Sequence, residues 1–103
     1  MASFIADHSE IHNGRPAGQA VDLRGTSTNW GQATTFSLSG VANTSVATKI
    51  VNSATSARLV IATGAGTGTL TITDGGTGGT GATATLKVAA YRKPRWFAGL
   101  SRR

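Results

Sequence analysis

No cysteine occurs among the 103 residues, so neither a disulfide framework nor a thiolate metal site can form, and stability has to come from packing. Acidic groups are nearly as scarce: Asp7, Glu10, Asp22 and Asp74 are all there are. With only His8 and His12 beside them, spacing picks out no nucleophile, base and orienting partner, and the chain reads as non-catalytic and without a cofactor. Helix formers are few, and no window repeats apolar residues at helical spacing behind a capping residue, so no helix of ordinary length is expected. No stretch approaches the roughly 20 apolar residues that span a bilayer as a helix. Residues 1–7 lack the charged n-region and apolar run of an export signal, so the expectation is a chain that opens at its own methionine without one. Apolar residues make up 39% without glycine, and the 14 glycines add no side chain to pack, which predicts a thin core.

What is present is alternation. Short runs with period-2 apolar patterning recur between Gly, Asn, Asp, Ser and Pro, the pattern of half-buried antiparallel strands. Seven runs stand out: residues 4–8, Val21 with Leu23, Phe36 with Leu38, residues 46–51, Leu59 with Ile61, Leu70 with Ile72, and Ala84 with Leu86 and Val88. They predict an inward set of Val21, Leu23, Phe36, Leu38, Ile50, Leu59, Ile61, Leu70, Ile72, Leu86 and Val88, with Trp30 or Phe36 at or near the core. Threonine fills many of the outward positions, where its branched Cβ suits a pleated surface. The length matches one immunoglobulin-like antiparallel β-sandwich of about seven strands, which takes about 100 residues. Residues 1–13 then form an N-terminal strand or arm, 14–89 the sandwich, and 90–103 a C-terminal arm.

The opening Gly14-Arg15-Pro16-Ala17-Gly18-Gln19-Ala20-Val21-Asp22-Leu23-Arg24-Gly25-Thr26, with Trp30 following, resembles IPT/TIG-type and related bacterial Ig-like domains: a Gly/Pro turn, a V-x-L strand, then glycine and an aromatic residue. The Thr-rich stretches 51–61 and 68–74 are similar to Ig-like repeats of bacterial and phage surface proteins. Together these cover roughly residues 14–88, and they imply a sandwich without implying a particular role.

Three clusters invite chemistry. Gly76-Thr77-Gly78-Gly79-Thr80-Gly81 spells G-x-G-x-x-G, but the dinucleotide motif needs a helix after it, and residues 82–88 alternate as a strand, so a hairpin loop is expected. His8, Glu10 and His12 fall at alternate positions that share a face on an extended strand, a weak candidate for Zn²⁺; with no fourth ligand evident they read instead as the polar surface of an edge strand. Asn43-Thr44-Ser45 fits a glycosylation acceptor pattern that is common by chance.

The charge is uneven. Residues 1–89 hold five basic and four acidic side chains, whereas residues 90–103 hold Arg92, Lys93, Arg95, Arg102 and Arg103 and no acid. With Tyr91, Trp96 and Phe97 interleaved, these basic residues make a candidate partner-binding arm, since Arg, Trp and Tyr anchor interfaces and exposed aromatics gain nothing unpartnered. The leading expectation is a structural subunit of a phage virion, a decoration, cement or fibre protein on a capsid or tail partner, oligomeric within the assembly. The alternatives are an extracellular or cell-surface adhesion or carbohydrate-binding module, and a nucleic-acid-binding protein using the basic tail, which would contact phosphates.

Overall fold

The computed structural model describes residues 2–90, and the proposed arm, Tyr91, Arg92, Lys93, Arg95, Trp96, Phe97, Arg102 and Arg103, lies outside them. Eight strands follow in order: β1 (Ser3–Ala6), β2 (Glu10–His12), β3 (Gln19–Thr26), β4 (Thr34–Ser39), β5 (Ser45–Ser53), β6 (Ser56–Ala62), β7 (Gly68–Gly76) and β8 (Thr83–Ala89). No helix occurs among the described residues. The strands form two four-stranded sheets, ordered β1-β3-β6-β5 and β2-β8-β7-β4. This is an immunoglobulin-like sandwich, because the first edge strand leaves one sheet and its continuation joins the other.

Period-2 alternation explains the core. β6 and β7 turn Ala57, Leu59 and Ile61 and then Leu70 and Ile72 inward, and β3 and β8 add Val21, Leu23, Leu86 and Val88. Trp30, in the β3–β4 loop, and Phe36 on β4 are both buried, as expected, and Phe4 joins them. The three rings meet edge to face, with centroids 5.5 Å apart for Phe4–Trp30 and 5.2 Å for Trp30–Phe36. Such pairs add about 0.5–1.5 kcal/mol beyond the area they bury.

The structure refines the expected strands in several places. The predicted run over residues 4–8 is β1 followed by a turn, and β2 is a separate strand, which makes eight strands against about seven expected. β2 pairs with β8 in parallel, Glu10 opposite Lys87 and His12 opposite Ala89, so the sandwich is not wholly antiparallel. Ile50 points outward, 46% exposed, and Val51 is buried in its place. The cause is a bulge between Val46 and Thr48, which shifts the register on β6 so that Lys49 and Val51 share the inner face with Leu59 and Ala57. Leu38 faces inward as expected and packs against the core, half-buried at the end of β4. The first thirteen residues, set apart in the sequence, contribute two edge strands whose Phe4 and Ile11 are buried in the core.

The first and last strands begin and end at opposite poles. Ser3 lies opposite Thr26, at the pole where β3 ends and the β3–β4 and β7–β8 loops gather. Ala89 lies opposite His12, at the other pole, beside the β2–β3, β4–β5 and β6–β7 loops.

Candidate functional site

With one face of each sheet buried, the features available to a partner are the outer faces, the terminal strands and the poles. The outer face of β1-β3-β6-β5 is ruled by ion pairs. Arg58 on β6 donates to Asp22 on β3 at 2.7 Å, and Arg24 on β3 donates to Asp7 at 3.2 Å. The Arg58 hydrogen bond holds the Asp22 carboxyl below the usual aspartate range, and the same contact raises Arg58. All four side chains are solvent-accessible, so such pairs contribute little to stability. They order the face without making it a charged patch.

The outer face of β2-β8-β7-β4 is different. Strand parity places Thr83 and Thr85 of β8, Thr69, Thr71 and Thr73 of β7, and Thr35, Ser37 and Ser39 of β4 on it, in register across three strands. Charge is confined to one corner, where Glu10 and His12 of β2 border Lys87. A groove there is lined by Glu10, His12, Thr67, Gly68 and Lys87.

The structure does not bring the weak metal candidates together. Glu10 and His12 share the outer face of β2 with Glu10 Oε1 4.0 Å from His12 Nε2, but His8 lies on the turn before the strand. No group of three or more His, Cys, Asp or Glu is arranged to hold a metal ion among the described residues.

The glycine-rich loop is a hairpin connection, as expected, but its start is different. β7 continues to Gly76, and Asp74 points inward, 1% exposed. Its carboxylate accepts hydrogen bonds from Trp30 Nε1 at 2.9 Å, Thr80 N at 3.1 Å and Ala82 N at 2.9 Å. One buried acid therefore closes the β7–β8 loop and seats the core tryptophan. Gly78, at φ +82, rests on the Asn29 carbonyl where a Cβ would collide, which joins this loop to the β3–β4 loop. No charged side chain lies in either loop, residues 27–33 and 77–82.

The opposite pole is cross-tied. Gln19 at the start of β3 accepts from His12 N at 2.9 Å and donates to the His12 carbonyl at 2.7 Å. Thr63 Oγ1 donates to the same carbonyl and accepts from Arg15 N. Asn13 Nδ2 donates to the Ala65 carbonyl. Nothing in the sequence pointed to Gln19 or Thr63; Gln19 reaches back across the β2–β3 loop to His12, and Thr63 meets residues far from it in the chain.

No protein-family model matches the chain, and no curated protein matches it in sequence. A solved structure does. The chain is similar in fold to FdeC, described as a broadly conserved Escherichia coli adhesin eliciting protection against urinary tract infections, with a TM-score of 0.65 and 22% identity. The likeness covers 88% of this chain and 31% of that one, so this chain spans about a third of the adhesin's length.

Proposed function

We propose that this chain is a non-catalytic Ig-like module of the bacterial cell surface, serving adhesion as a unit that transmits contact through its two poles. The observation that carries the reading is the placement of the start of β1 and the end of β8 at opposite poles, Ser3 at one and Ala89 at the other, which lets such modules follow one another end to end. The unit-sized likeness to part of an adhesin agrees with it. So does the commitment of three of the four acids: Asp7 and Asp22 are held by arginines and Asp74 by the core. The sequence resemblance to IPT/TIG-type domains belongs with this proposal.

The same observations favour the adhesion module over a virion subunit, because a likeness to an adhesin speaks for the cell envelope and nothing comparable speaks for a particle. The test is location in the native organism. An antibody against the sandwich should label intact cells, and the signal should disappear after brief external proteolysis. Sedimentation of the chain with purified phage particles, together with a capsid or tail protein, would replace this reading with the virion one.

A further inference from the structure

A module loaded through its ends is pulled along the line joining its poles, and the terminal strands meet that load first. β1 pairs antiparallel with β3 and leads to the entry pole, while β2 pairs parallel with β8, which leads to the exit pole. Pulling the ends apart therefore drives β2 and β8 past each other in opposite directions. Strands sheared in this way load their ladder bonds together, whereas strands peeled from one end lose them singly.

The β2–β8 ladder is short, three paired residues, but it is extended and strapped. Lys87 N donates to the Ser9 carbonyl at 2.9 Å and Asn13 N to the Ala89 carbonyl at 3.0 Å, lengthening the patch at both ends. On the side away from β8, the Gln19 amide grips both backbone groups of His12, and Thr63 adds a bond to its carbonyl. Gly14 N donates to the Gly64 carbonyl at 2.6 Å. Ile11, 4% exposed, plugs the strand into the core.

We propose that residues 9–14, held by β8 on one side and by Gln19 and Thr63 on the other, are a force-bearing latch that makes the module resist end-to-end pulling. The inference rests on the surface-module reading for its purpose, but not for its mechanics. Forced unfolding follows the unfolding barrier and not the equilibrium stability, so the latch is legible only under load.

The experiment is single-molecule pulling of the full chain in two geometries. In the first, handles are attached at the two chain ends. In the second, one handle stays at the C-terminus and the other is placed on Thr67→Cys, a unique thiol in a cysteine-free chain, so that β8 is peeled from β7 at a single pole. The end-to-end geometry is expected to need a several-fold higher unfolding force. Gln19→Ala is expected to lower that force markedly and to leave the peeling force unchanged; Thr63→Val repeats the test at an independent strap, and urea denaturation confirms that each variant is folded. Equal forces in the two geometries, or an equal fall in both with Gln19→Ala, would overturn the latch. Neither result bears on where the protein resides, which the labelling of intact cells decides separately.

Discussion

Trp30 and Asp74 are 44 positions apart and joined by one buried hydrogen bond. A tryptophan whose N–H enters a core needs an acceptor, and a carboxylate enters one only when its oxygens are occupied. Each residue therefore explains the other's burial. Trp30→Phe keeps a ring against Phe4 and Phe36 but removes the donor, and is expected to cost about 1–3 kcal/mol in urea unfolding. Asp74→Ala removes the acceptor for the loop as well as for the indole, so it should cost more and should increase backbone exchange over residues 77–82. A neutral result for Asp74→Ala would mean that the loop holds itself. At the surface, Asp22 shows the opposite case. Its pKa is lowered in the folded state by the Arg58 hydrogen bond, so the stability it contributes is present above the unfolded pKa and lost as pH falls through the folded one. Arg58→Gln should raise the Asp22 titration midpoint toward the usual range in NMR, and should flatten the loss of stability between about pH 5 and pH 2.

β5 shows what alternation alone conveys about an element and what it does not. A strict period of two carried through residues 46–51 assigns Ile50 inward, and one extra residue near Ala47 reverses the faces beyond it. Val51→Ala is expected to cost on the order of 2 kcal/mol, whereas Ile50→Thr should stay within about 0.5 kcal/mol; the reverse order would put the strand back in the uninterrupted register. The bulge also turns Lys49 inward, where its ammonium donates to the carbonyls of Gln32 and Thr34 on the facing edge of the other sheet. A lysine so placed covers two open strand edges at once. Lys49→Thr should therefore raise self-association in sedimentation, and a variant that stays monomeric would show the edges to be protected otherwise. β3, β4, β6, β7 and β8 were legible because each has apolar residues at alternate positions and one wet face. β2 was legible only as an edge strand, from Glu10 and His12 alternating about Ile11, and three residues carry no signal of what they pair with. Its parallel partner, some 75 residues on in the chain, and the Thr63 strap to the His12 carbonyl depend on tertiary approach and leave no local mark.

For the whole molecule, charge and fold separate along the chain. The formal net charge is +6, and residues 90–103 carry five of those charges, leaving +1 on residues 1–89. Among the described residues, the core side chains run from Phe4 to Val88. The sandwich should thus fold without residues 91–103, with a melting temperature within a few degrees of the full chain, since about 1 kcal/mol corresponds to a shift of about 4–8 °C in a domain of this size. Deletion should instead change association. Retention of the full chain on an immobilised polyanion should be strong and fall steeply with salt, because each contact made by a cationic side chain releases counterions, and the truncated chain should barely be retained. If Trp96 and Phe97 anchor a protein partner, Trp96→Ala in the full chain should abolish co-purification with that partner and leave the polyanion profile as it was, because a buried aromatic anchor governs dissociation while basic residues govern encounter and salt dependence. A Trp96→Ala chain that still co-purifies would assign the segment's role to its charge alone.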